Sequence, residues 1–158
     1  MTSIAMSVTA ARPLRQHLAD ARALLGRFPH TVQQLLFRLA VGAVFMKAGL
    51  TKIASWETTV ALFRDEYKVP VLSPDLAATM AGSFEIGCSI LLVLGLATRL
   101  ATLPLLGMIA VIQTFVYPGA YAEHLTWASI LIFLLTRGAG PWSVDRAIGL
   151  EPADPTGR

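Results

Sequence analysis

LAATMAGSFEIGCSILLVLGL, running from Leu76 to Leu96, is long and apolar enough to cross a bilayer as a helix, and near its middle it carries a carboxylate, Glu85. A charge at the centre of a bilayer costs ~2.5 to 3.5 kcal/mol on insertion scales. Glu85 is therefore expected to face a protein interior and to hold a partner, which makes it a candidate functional residue.

The rest of the chain fits that reading. Hydrophobic residues make up 54% of the 158 residues and charged ones 15%, and the mean hydropathy is +0.60, too apolar for an ordinary soluble domain. One membrane domain fills this length. The net charge of +3 comes largely from arginines outside the apolar runs, so it speaks of topology and lipid headgroups; no nucleic-acid motif is present. The lone cysteine, Cys88, lies inside an apolar run, which excludes an intramolecular disulfide or a CxxC pair and leaves it as a small packing residue.

The pattern predicts an all-α, integral membrane four-helix bundle. Its spans run from about Gln33 to Ala54, Leu76 to Leu96, Arg99 to Tyr117 and Tyr121 to Arg137, the last two separated by the turn Pro118-Gly119-Ala120. Thr31 with Gln34 resembles a capping box, and Ser73-Pro74-Asp75 supplies an N-cap, a proline at the first helical position and an acid beside the helix dipole. Pro104 falls in the first turns of the third span, where a missing amide donor costs least. Between spans one and two, Trp56, Val60, Phe63 and Tyr67 recur at helical spacing within Ser55 to Lys68, which predicts an amphipathic interfacial helix with aromatic anchors.

Arg12, Arg15, Arg22 and Arg27 precede span one, Arg99 lies in the second loop, and Arg137, Arg146 and Arg158 follow span four, whereas the third loop has no lysine or arginine. This distribution predicts both termini on the cytoplasmic side, in a multi-pass protein of a bacterial inner membrane. Residues 1–31 then form a basic cytoplasmic arm, 32–148 the membrane domain and 149–158 a polar tail. The arm's Arg, Ser and Ala content also resembles an organelle transit peptide, but no cleavage signal is apparent.

Counting inward from the outer ends, Lys47 and Glu85 lie at similar depths, ~10 and ~13 Å at helical rise. Ala78, Ala81, Gly82, Glu85 and Ser89 share one face of their helix, and such small residues let membrane helices approach closely. Lys52, Gln113 and His124 fall in the same outer half. Lys47, Lys52, Glu85, Gln113 and His124 are thus expected to mark one polar pocket, read either as a ligand site and proton relay or as helix-pairing contacts. Arg38, Arg99 and Asp145 form a second group near the inner face, expected to be snorkelling arginines and a terminal salt bridge. Trp56, Trp127 and Trp142 read as belt or packing aromatics.

Arg38-Leu39-x-x-Gly42-x-x-Phe45-x-x-x-Gly49-x-x-Lys52, then Glu85 followed by LLVLGLATR ending at Arg99, and finally Gly138-x-Gly140-Pro141-x-Ser143-x-Asp145 together resemble the DoxX family of small membrane proteins. The resemblance covers about Val32 to Ile148. It implies a four-helix bundle and kinship with the membrane subunit of an archaeal thiosulfate:quinone oxidoreductase. Lys47 has no place in the family pattern.

Two functions are consistent with these residues. One is a redox membrane subunit that binds a quinone, with Lys52, Gln113 or His124 as donors to the headgroup, Glu85 or His124 relaying protons, and a soluble partner, docked on the basic arm, supplying electrons. No covalent cofactor or metal is expected, and the scarcity of histidine and cysteine in the spans argues against haem and iron–sulfur clusters. The other is a non-catalytic scaffold, possible as a homo-oligomer, or a small-solute carrier with a structural Lys/Glu pair. The lack of an inverted repeat or broken span disfavours the carrier.

Overall fold

The computed structural model describes residues 14–26 and 28–151. Arg12, Arg27 and Arg158, used in the charge argument, lie outside the described residues, as do residues 1–13 of the arm and 152–158 of the tail. The described chain is all-α. In order it forms α1 (Leu14–Leu25), α2 (His30–Ala54), α3 (Trp56–Leu62), α4 (Pro74–Leu94), α5 (Thr98–Val111), α6 (Tyr121–Arg137) and α7 (Val144–Ala147). Wider π-helical turns extend α3 through Tyr67 and α5 through Val116, and Pro118–Ala120 makes the tight turn into α6 that the sequence predicts.

The four long helices pack α2 on α4, α4 on α5, α5 on α6 and α6 on α2. By length and composition, Pro74–Leu94 and Thr98–Val116 are apolar enough to cross a membrane. Helix α2 carries Arg38, Lys47 and Lys52 along its length, and α6 has 17 residues. The core runs through Val41, Phe45, Cys88, Leu92, Leu105, Ile109, Leu131 and Leu134. Cys88 packs there as a free thiol.

Local signals decide where α4 begins. Ser73 Oγ accepts from the Leu76 amide at 3.4 Å, Pro74 occupies the first turn and Asp75 follows it. The other start signal does not act as expected. Helix α2 begins at His30 without a side-chain cap, so Thr31 is already inside it and Gln34 faces the core, donating to the Arg137 carbonyl at 3.3 Å. Pro104 lies seven residues into α5, so it removes an interior hydrogen bond of that helix. The amphipathic segment forms as predicted, but Val60 and Phe63 pack on Ala77 and Ala78 at the start of α4, leaving Trp56 as its exposed aromatic.

The Arg38 end is closed by residues distant in sequence. Arg38, only 2% exposed, donates from Nε to the Leu92 carbonyl (2.8 Å), from Nη2 to Val93 (2.8 Å) and from Nη1 to Ala139 (3.0 Å) and Trp142 (2.7 Å). It is a buried remote cap on the C-terminus of α4, where carbonyls lack helical partners, and the snorkelling expectation is corrected. The planar five-donor fork of arginine makes this possible. Gly95 has φ +69, and a Cβ there would come within 2.7 Å of the guanidinium carbon, so only glycine fits beside it.

Asp145 does the complementary work. Helix α5 begins after Ala97 (φ 48) with no side-chain cap of its own, and Asp145 supplies one, Oδ1 accepting from the Ala97 amide at 2.7 Å and Oδ2 from the Thr98 amide at 3.0 Å. No terminal salt bridge of Asp145 with an arginine is seen among the described residues; Arg99 is exposed and lies 3.7 Å from Glu151, whose other oxygen accepts from the Gly140 amide at 3.0 Å.

Removing both acceptors in Asp145→Ala should therefore destabilise the bundle by ~1 to 2 kcal/mol, the cost of losing an N-cap. Asp145→Asn, which keeps one oxygen acceptor, should recover part of it, and exposed Arg146→Ala should change stability by less than ~0.5 kcal/mol. Thermal unfolding of the three variants in one detergent checks the order.

Candidate functional site

Arg38, Val41, Gly42, Phe45, Gly49 and Lys52 recur at spacings of three and four, so they form one stripe along α2. That stripe faces α4. Its small members set the approach: a Cβ on Gly49 would meet Ile86 at 2.6 Å and the Glu85 Cβ at 3.0 Å, and one on Gly42 would meet Val93 at 3.1 Å. On the facing helix, Ala78, Gly82, Glu85 and Ser89 are all buried, the face read from sequence.

The close approach brings Lys52 Nζ to 2.7 Å from Glu85 Oε1, a charge-assisted hydrogen bond. Glu85 is 3% exposed. Its Oε2 is buried without a hydrogen-bond partner. Lys47 is not the partner: five residues from Lys52, it is turned by ~140° on the helix, and it is exposed. Depth alone could not separate the two lysines; rotation does.

Lys52 also lines an open groove of about 370 Å³ between α2 and α3. Val44, Leu62 and Phe63 form its apolar side, and Lys47, Lys52 and Tyr67 bring polar groups to it. Thr59 Oγ1 donates to the Lys52 carbonyl at 3.1 Å, pinning the α2–α3 corner. Tyr67 stacks edge-on against Tyr117 (5.7 Å between centroids), and the Tyr117 hydroxyl donates to Glu66 Oε1 at 2.9 Å, which ties the π-helical turn after α3 to the end of α5.

The remaining two residues expected in this pocket form a pair of their own. His124, 5% exposed, has Nδ1 at 2.7 Å from Gln113 Oε1, and Gln113 Nε2 donates to the Pro118 carbonyl at 2.7 Å. A carbonyl only accepts, so the amide nitrogen is committed to Pro118 and the amide oxygen faces the imidazole. Nδ1 therefore carries the proton in this pair. The His124 ring also packs against Trp127, 5.7 Å between centroids, and Trp127 against Phe45 at 5.9 Å. Gln113 and His124 do not line the groove, so the five residues divide among Lys52 with Glu85 at α2–α4, Lys47 at the α2–α3 groove and Gln113 with His124 at α5–α6.

Sequence reading missed Thr59, Phe63 and Tyr67 as groove residues and Glu151 as the partner of Arg99 and Gly140. Gly49 was visible only as a member of the family motif; three residues before Lys52, it signals the helix approach that seats the ion pair.

Breaking one member of a buried pair costs ~3 to 5 kcal/mol, whereas replacing both by apolar groups can be nearly neutral. Glu85→Leu should thus unfold the protein at markedly lower temperature, Lys52→Met added to it should restore much of the loss, and Lys47→Met should restore none. Thermal unfolding of the two double variants in detergent decides between the lysines, and rescue by Lys47→Met would contradict the geometry.

The DoxX family profile matches residues 33–118, the segment that contains the α2 stripe and Glu85. An uncharacterised membrane protein of Mycobacterium tuberculosis is 31% identical over 132 residues, covering 72% of this chain and 80% of the relative. No solved structure matches. The matched segment thus includes the buried stripe of α2 and its contacts on α4, and the chain belongs to the DoxX family of membrane proteins.

Proposed function

We propose that the protein is the membrane subunit of a quinone-linked redox system and that the groove between α2 and α3 takes the quinone headgroup. The observation that carries this reading is the Lys52–Glu85 pair at the groove, with Glu85 Oε2 buried and lacking a hydrogen-bond partner. The volume falls within the ~300 to 1,000 Å³ typical of small-molecule sites.

The groove residues fit such a headgroup. Lys52 carries three ammonium donors, one of them engaged by Glu85, so donors remain for a carbonyl oxygen, and Lys47 adds a second ammonium at the rim. Val44, Leu62 and Phe63 match an apolar ring face. A quinone accepts two electrons and two protons on reduction. Glu85, reached through Lys52, is the group that holds or passes a proton at Oε2, in surroundings where water is scarce. His124 belongs to a separate pair and is not required at the headgroup.

Electrons must come from a soluble partner, since the chain itself supplies no redox centre in this scheme. The arginine distribution supports an orientation with both termini and the Arg38 end of the bundle on the cytoplasmic side of a bacterial inner membrane, and the groove in the opposite half.

A ligand that binds only the folded state stabilises it by RT ln(1 + [L]/Kd), ~2.7 kcal/mol at a hundredfold excess over Kd. A saturating short-chain quinone should raise the unfolding temperature in detergent; Lys52→Ala and Glu85→Gln should shrink the shift, and His124→Ala and Arg146→Ala should leave it. A wild-type protein with no shift and no co-purified quinone would leave the Lys52–Glu85 pair as a helix-pairing contact in a non-catalytic scaffold.

A further inference from the structure

Helix α1 has no buried residue. Its leucines Leu14, Leu18 and Leu25, with Ala21, fall within ~60° of one another around the helix at 100° per residue, and Arg15 and Arg22 flank that stripe on one side. Leu14 and Leu25 are about three-quarters exposed, so the described residues cover little of this apolar face.

What covers it follows from where the helix is tethered. Residues 26–29 alone separate α1 from α2, a reach of at most ~14 Å for an extended chain. Arg38 lies about two turns into α2, bonded to the Trp142 carbonyl, and Trp142 and Phe28 are both exposed at that end, where aromatic rings mark the headgroup level of a membrane protein. A short helix leashed there is held close to the bilayer surface. Leucines on one side and arginines beside them are the makeup of a helix lying in the interface.

We propose that α1 is a membrane-surface anchor whose leucine stripe inserts among the acyl chains and whose Arg15 and Arg22 engage the phosphates of anionic lipids. The partner is the bilayer on the Arg38 side, and the contact fixes the entry angle of α2. This assignment stands independently of any ligand in the groove.

The test uses the full-length chain in vesicles, with Cys88→Ala as background and a nitroxide on Ala21→Cys or Ala23→Cys, two exposed positions ~160° apart around α1. In vesicles of phosphatidylcholine with phosphatidylglycerol, the Ala21 label should be relaxed by oxygen and shielded from a water-soluble nickel chelate, and the Ala23 label should show the reverse. Arg15→Gln and Arg22→Gln should each lower the ratio of inserted to free helix about fivefold, the equivalent of ~1 kcal/mol per charge near an anionic surface. Equal access of the chelate to both labels would overturn the proposal. So would shielding of the Ala21 label accompanied by spin–spin broadening, which would mean that a second copy covers the stripe, or insertion that is indifferent to phosphatidylglycerol and to the arginines.

Discussion

One stripe of α2 carries a cation near each end, and both must be satisfied against the same neighbour. Arg38 and Lys52 are fourteen residues apart, which returns them to the same face of the helix within ~40° and separates them by ~21 Å along its axis. Arg38 locks onto the carbonyls that end α4, and Lys52 onto the carboxylate eleven residues from its other end. With both bonds made, α2 can neither slide along α4 nor rotate against it. A shift of one residue would turn the stripe by ~100° and leave both cations without their partners in an apolar medium.

That constraint explains the small residues between the cations. Without a hydrophobic drive between helices in lipid, association rests on close contact and polar bonds, and both demand short distances. Gly42 and Gly49 supply them on α2, where an added Cβ would meet Val93 at 3.1 Å and Ile86 at 2.6 Å. Larger side chains would separate the helices and lengthen the Lys52–Glu85 bond. The same economy acts at the Arg38 end, where the segment from Gly138 to Asp145 folds back so that its carbonyls receive the guanidinium and its carboxylate caps α5. The C-terminus of α4, closed locally by Gly95, and the N-terminus of α5, which has no side-chain cap of its own, are both completed by residues more than forty positions away.

What the sequence revealed, and what it hid, follows from these distances. Apolar length and turn residues locate helices, so the run around Glu85, the Ser73 start and the turn at Pro118 were legible, as was the buried face of α4. Hydropathy also reports depth, but a partner is chosen by rotation as well. Lys47 and Lys52 both lie at depths a flexible lysine can reach from Glu85, and only the 3–4 spacing of Gly42, Phe45 and Gly49 points to Lys52. Remote caps were not legible, because nothing local distinguishes an arginine that snorkels from one that donates to four carbonyls. Likewise, Gln113 and His124 share a depth with Glu85 yet bond each other, since both sit on the α5–α6 side.

The two cations differ in what they leave over. Arg38 gives hydrogen bonds to four carbonyls and Asp145 accepts two amides, so the charges at that end are held in fixed geometry by backbone that cannot retreat. Lys52 meets a single carboxylate oxygen, is itself partly exposed to a groove, and leaves Glu85 Oε2 with no donor. An unpaired buried acceptor costs ~1 to 3 kcal/mol, more when charged, so a fold that needed only to pair two helices would gain by satisfying it or replacing it. A purely structural pair could be traded for leucine and methionine with little loss. That asymmetry between charges fully paired at one end and a carboxylate half paired at the other, along a single helix, is the physical reason for proposing chemistry at Lys52 and Glu85 and anchoring at Arg38.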